Sequence, residues 1–197
     1  LSYGDHSGSS GIFREGKGTN WEGGHRVPGI IRYPNKIEPN TLIEAPAMGI
    51  DWLPTLAEFA ATKMPKLKID GASLVPLLTG VTNSSPHDNF FFYYRTNELH
   101  AVRHKDWNLY VPHPYRSLNG RKGTNDGFPV PYQMNEINTP TLYDLTNDRS
   151  EQYDIAFQHP KIVKKISKIA DSIRLILGDQ LSGIKGKEVR PVGRIEN

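Results

Sequence analysis

The chain has 197 residues, enough for one domain with a real core or one and a half by ordinary domain size. With 37% hydrophobic residues, 15 prolines and 18 glycines it is rich in loops, and its formal net charge of +3 is spread too thinly to form a nucleic-acid footprint. The absence of cysteine excludes disulfides and thiolate metal sites, and no apolar run approaches the roughly 18 residues that a membrane-spanning helix needs.

Residues 1–26 read as one long loop, and a loop of this length inside a compact protein is usually functional or disordered. Asp5 and His6 are its first titratable pair. Gly16-Lys17-Gly18-Thr19-Asn20-Trp21-Glu22-Gly23-Gly24-His25-Arg26-Val27-Pro28 then packs four glycines around one lysine, an aromatic and a Glu/Arg pair. Glycines at this density mark a main chain that turns tightly or approaches something closely. A lysine between two of them, on a backbone that also offers N–H donors, suits sulfate, phosphate or a carboxylate. The spacing is not that of a phosphate-binding loop, because the Gly-x4-Gly-Lys-Ser/Thr pattern is absent.

Residues 29–33, Gly-Ile-Ile-Arg-Tyr, predict a short buried strand stopped by Pro34. Residues 52–61 predict a helix with Asp51 as its N-cap and with Leu53, Leu56, Phe59 and Ala60 on one face. A second, short helix is expected within 70–80, closed by Gly80. Beyond the polar stretch 81–88 the period changes to that of strands, at 90–95, 100–104, 107–111 and 141–145. Residues 112–138 are too polar and too rich in Gly, Asn and Pro for a core element. Ile162, Ile166, Ile169, Ile173 and Ile176 recur at helical spacing with Lys161, Lys164, Lys165 and Lys168 outside, and Gly178 ends that helix. The tail after Ser182 has no periodicity.

The run from Gly16 to Pro28 resembles the second signature of the type I sulfatases, an arylsulfatase branch of the alkaline-phosphatase-like superfamily, almost without a break. Ile50-Asp51-Trp52-Leu53-Pro54-Thr55 is similar to the Asp-Leu-x-Pro-Thr helix that follows it there. Residues 70–80 are similar to an Asp-Gly-x-Ser-Leu-x-Pro-Leu-Leu-x-Gly run, and residues 147–154 to an Asp-Pro-x-Glu-x-x-Asn turn before the last helix. The resemblance covers essentially the whole sequence. It implies an α/β protein, α+β in this stretch: the C-terminal end of an alkaline-phosphatase-like core, then a small four-stranded antiparallel sheet packed on a long helix. The expected division is 1–85 for the core part, 86–182 for sheet and helix, and 183–197 for the tail. Because the sequence opens inside a loop, we expect a C-terminal piece of a longer protein.

In this family sulfate-ester hydrolysis uses a formylglycine nucleophile made in a Cys/Ser-x-Pro-x-Arg motif, and calcium held by Asp, Asn or His ligands. Ser84-Ser85-Pro86 continues into His87-Asp88-Asn89 and lacks the arginine, and the calcium ligands are expected before Leu1. The chain alone is therefore expected to be inactive. Lys17 matches the catalytic lysine that donates to a sulfate oxygen. The resemblance makes His6, His25, His113 and Arg116 candidate substrate contacts. His25 could equally be structural, and His113-Pro114-Tyr115-Arg116 could be a turn packed on the 112–138 segment. Asp51 reads as a cap rather than a catalytic carboxylate. The implied partner is an aryl sulfate or a sulfated saccharide, with oligomer contacts through core surface exposed around Ile30, Ile31 and the Asp51 helix. The implied location is outside the cytoplasm or lysosomal. Two alternatives remain open at this level: a phosphonate or phosphodiester hydrolase of the same superfamily, and a non-catalytic module binding sulfated glycans.

Overall fold

In a computed structural model, which describes residues 2–4, 8–124 and 126–190, the chain forms two compact units. One comprises Leu1–Val27 with Asn89–Asn197, the other Pro28–Asp88. Division of the sequence at residue 85 groups the glycine run with the helices that follow it. In the structure the run folds with the sheet, because Trp21 is buried among the sheet's aromatic side chains.

The first unit is built on a four-stranded antiparallel sheet in the order β1 (Asn89–Tyr94), β2 (Glu98–His104), β3 (Trp107–Tyr110), β6 (Thr141–Asp144). This is the predicted sheet. Strand alternation gives it two apolar faces. Leu99, Val102, Leu109 and Leu142 point one way and pack on Ile166 and Ala170 of α4 (Pro160–Leu177), the predicted C-terminal helix. Ala101, Tyr110 and Tyr143 point the other way, toward Trp21. Such two-sided burial is why these strands read as aromatic and β-branched on both phases. The pairing slips between Phe92 and Tyr93, whose partners are Ala101 and Leu99, so His100 is the extra residue of a β-bulge.

The 112–138 segment departs from expectation. It contains β4 (His113–Ser117) and β5 (Gln133–Ile137), paired antiparallel as a separate two-stranded sheet. His113, Ser117, Leu118 and Ile137 are buried. Its polar composition hid these because only the strand ends turn inward. Within the described part of the tail, residues 183–190, the chain bonds back to the end of α4 although its sequence shows no periodicity. The Lys187 and Glu188 N–H groups donate to the Leu175 and Ile176 carbonyls, while buried Asp179 accepts from Leu99 N–H and pairs with Arg174.

The second unit holds α2 (Trp52–Phe59) and α3 (Val75–Leu78) around Leu74, Leu77 and Leu78, with Ile37, Ile43 and Phe59 against them. Residues 29–33 form no strand here, and Ile30 is 96% exposed. The face of α2 that is buried carries Pro54, Thr55 and Ala57; of the predicted face Phe59 packs inward, while Leu53, Leu56 and Ala60 are exposed. The apolar exposure expected around Ile30 and the Asp51 helix is thus present. Asp51 does not cap α2 with its side chain. Wholly buried, it accepts hydrogen bonds from Met48 N–H (2.8 Å) and Ala72 N–H (3.0 Å), and Oδ1 lies 2.7 Å from His87 Nε2. The Thr55 hydroxyl donates to the Asp51 carbonyl and accepts from Leu74 N–H, completing a polar tie between the two helices.

Removing that carboxylate leaves the part-buried Met48 and Ala72 N–H donors without their acceptor. Asp51→Ala is expected to lower the stability of this unit by roughly 3–5 kcal/mol and to strip the Ala72 amide of hydrogen-exchange protection. Native-like protection at Ala72 in that variant would show that the carboxylate is dispensable.

Candidate functional site

Gly16 to Thr19 form a tight turn. Thr19 N–H and the Thr19 hydroxyl both donate to the Gly16 carbonyl, at 3.2 and 3.0 Å. Gly18 has φ +102°, the conformation of the third position in a type II turn, which a side chain would strain. Lys17 therefore occupies the outer corner. It is exposed, and no carboxylate among the described residues pairs with its ammonium. Three side chains of the same unit grip the turn from beneath. The Tyr94 hydroxyl donates to the Gly18 carbonyl at 2.7 Å, Arg116 Nε donates to the same oxygen at 2.6 Å, and the Tyr132 hydroxyl donates to the Lys17 carbonyl at 3.2 Å. A Cβ on Gly18 would collide with the Arg116 guanidinium.

The rest of the run anchors this turn. Trp21 is buried, its ring 4.2 Å from Tyr110 and edge-on to Tyr115 and Tyr143, with the Arg14 guanidinium 3.5 Å above it. Glu22 opens α1 (Glu22–His25), a single turn. Its N–H donates to Glu151 Oε2 at 2.8 Å, and Glu151 also accepts from Asn108 Nδ2 at 2.8 Å. The Tyr110 hydroxyl lies 2.6 Å from Glu151 Oε1 and 2.9 Å from the Asn20 carbonyl. Gly24 has no room for a side chain, because a Cβ there would strike the Thr19 carbonyl. The glycine density thus serves one tight turn and a close return of the chain upon itself.

Charge is distributed unevenly around α1. Burial pushes the Glu22 carboxyl up, but its bonds to His25 and Arg26 and the charge of Arg103 outweigh this and hold it below the ordinary range. Glu151, fully buried, is pushed up to about 7 by burial, against the bonds from Glu22 N–H and Tyr110.

Of the predicted site residues, the structure brings Lys17 and Arg116 to one place, with Arg116 bonded to the main chain of the lysine turn and 4.6 Å from the Tyr132 ring. His25 contacts Glu22 at 3.3 Å and stacks at 4.0 Å on Phe92, while its Nδ1 is buried with no partner among the described residues. These contacts support α1. His113 does not reach outward. It is 4% exposed, its ring 3.8 Å from His100 and its Nδ1 2.6 Å from the Val111 carbonyl oxygen. Burial and the neighbouring His100 push it down to about 4, so it is neutral. His6 lies outside the described residues. Sequence reasoning missed Tyr94, Tyr132 and Glu151 as supports of the site. Only Glu151 carried a signal, as the acid of the 147–154 turn motif; an aromatic in a strand and a tyrosine in a polar loop carry none. Among the described residues no three His, Asp or Glu side chains converge as metal ligands.

Residues 85–185 match the family model for the C-terminal region of aryl-sulfatase, and residues 9–109 that for the C-terminal part of N-sulphoglucosamine sulphohydrolase. Human steryl-sulfatase is 37% identical over 158 residues, which is 75% of this chain and 27% of that protein. Human arylsulfatase A is 32% identical over 170 residues, 82% and 33% of the respective lengths. Among solved structures, a Bacteroides thetaiotaomicron protein from a study of glycosaminoglycan metabolism superposes with a TM-score of 0.61 at 28% identity, over 83% of this chain and 32% of its own. A sulfatase from Pseudoalteromonas sp. shares the fold, with a TM-score of 0.63 at 21% identity over 82% and 32%. The chain spans about a quarter to a third of the length of the relatives it matches.

Glu151 makes this region's stability depend on pH. Its folded value of about 7 lies above the ordinary 4.5, so the folded chain retains a proton there that the unfolded chain has lost. That contribution is full below pH 4.5 and disappears as pH rises to about 7. His113 acts oppositely, losing stability as pH falls from 6.5 toward 4, and Glu22 acts below pH 4.5. Relative to the native protein, Glu151→Gln is expected to gain roughly 3 kcal/mol between pH 4.5 and 7.5, with no further change above. Thermal unfolding of both proteins across this range measures the difference, and parallel curves would contradict it.

Proposed function

The chain belongs to the type I sulfatases, whose C-terminal region it matches over more than half its length, and we propose that it forms the lysine-bearing side of a site that hydrolyses sulfate esters of aryl or carbohydrate alcohols. The observation that carries this reading is Lys17 at the exposed corner of a turn whose carbonyls are fixed from below. A cation held on a braced backbone pairs with a sulfate oxygen without reorganising as charge builds in the S–O cleavage step. Water takes the sulfuryl group and the alcohol leaves with a proton. Lys17 supplies charge and position to this exchange, and neither nucleophile nor acid.

Formylglycine and calcium are expected in the complete enzyme and have no place among the residues described. No cysteine exists, Asp88 stands where the nucleophile motif needs arginine, and no ligand set converges. The complete protein is proposed to work outside the cytoplasm or in a lysosome, as the family implies. Among the described residues no helix is long and apolar enough to cross a membrane.

In the full-length enzyme, Lys17→Ala is expected to lower kcat for 4-nitrophenyl sulfate or glucosamine 6-sulfate by about 10²–10³-fold with unchanged thermal unfolding. Native turnover of both esters by that variant would remove Lys17 from the reaction. The 197-residue chain by itself is expected to release no sulfate from either ester. Measurable release by the purified chain would place a nucleophile within it.

A further inference from the structure

The lysine turn is held by its carbonyl groups, and the two groups that hold the Gly18 carbonyl come from two different sheets. Tyr94 ends β1, just past the bulge at His100, and that bulge changes the phase of the strand pairing one residue before Tyr94. Its ring lies 5.4 Å from His100, which is itself stacked on His113, so buried rings back the phenol. Arg116 comes from β4, and its guanidinium lies 4.6 Å from the Tyr132 ring and 5.8 Å from the Tyr94 ring. Both side chains converge on a single acceptor, the Gly18 oxygen, and occupy both of its lone pairs. The Arg116 bond is charge-assisted. The absence of a side chain at Gly18 is what lets the guanidinium reach the main chain there.

We infer that Tyr94 and Arg116 are positioning residues for Lys17: they fix the Gly18 peptide, and through it the direction in which the lysine leaves the turn. This rests on the assignment of Lys17 to the sulfate. A turn freed from these two donors still displays a lysine, but over a wider range of directions, and a displacement of about 1 Å in a catalytic group lowers turnover severely. The role is distinct from direct substrate binding by Arg116, because it uses the Nε proton bonded to the Gly18 carbonyl and not the remaining guanidinium N–H groups.

The test uses the full-length enzyme, with kcat and KM for 4-nitrophenyl sulfate and thermal unfolding measured for Tyr94→Phe, Arg116→Lys, Lys17→Ala and the double variant Lys17→Ala/Tyr94→Phe. Tyr94→Phe removes one hydroxyl and keeps the packing. It is expected to lower kcat about 10-fold with KM within about 2-fold, and Arg116→Lys, which keeps a donor without the fork, is expected to fall similarly or less. In the Lys17→Ala background the Tyr94 change is expected to be silent, since there is no lysine left to aim. An unaltered kcat in Tyr94→Phe, or an equal loss with and without Lys17, overturns the positioning role while leaving the lysine assignment standing. Native rates in Lys17→Ala overturn both.

Discussion

Glu151 lies fully buried between the glycine run and the sheet, and its two oxygens satisfy groups on both. One accepts the first N–H of α1, an orphan donor of any helix start; the other faces Tyr110 and Asn108 of β3. A carboxyl in so dry a place is costly when ionised, which is why burial raises it to about 7, and that cost is offset in part by the bonds it accepts from Glu22 N–H, Tyr110 and Asn108. The glycine run depends on this tie. With Trp21 seated between the aromatic rings and Glu22 N–H bonded, the preceding turn can close in only one way, and Lys17 is carried to its outer corner.

Seen this way, the sheet has two jobs divided between its faces. One face buries aliphatic side chains against α4 and supplies stability in the ordinary manner. The other is aromatic and polar, and the hydroxyls of Tyr94 and Tyr110 on it bond to the main chain of the glycine run. The bulge at His100 is where the pairing changes phase, immediately before Tyr94. The 112–138 segment contributes Arg116 and Tyr132 to the same support.

The elements legible in sequence were those whose periodicity is enforced by burial. The four strands and α4 alternate or repeat because each must hide a face, and the glycine run was legible as a close-packed turn because nothing else tolerates Gly18 and Gly24 at those positions. What was not legible depended on contacts far apart in sequence. Residues 29–33 have the composition of a buried strand but find no strand partner here. Asp51 looks like a local cap, yet its carboxylate bonds to Ala72 and His87. The 113–116 run reads equally as an outward contact or as a packed turn, and nothing local shows that His113 is buried with its ring stacked on His100. Residue type located the candidate chemistry; only the pairing of β4 with β5 decided which side chains could face it.

The braced turn is proposed to aim Lys17 at the anion. The most direct measurement is a crystal structure of the full-length enzyme with inorganic sulfate bound. Lys17 Nζ is expected within about 3 Å of a sulfate oxygen, with the Gly18 carbonyl still accepting from Tyr94 and Arg116. Sulfate bound in the active site with Lys17 turned into solvent would contradict the account.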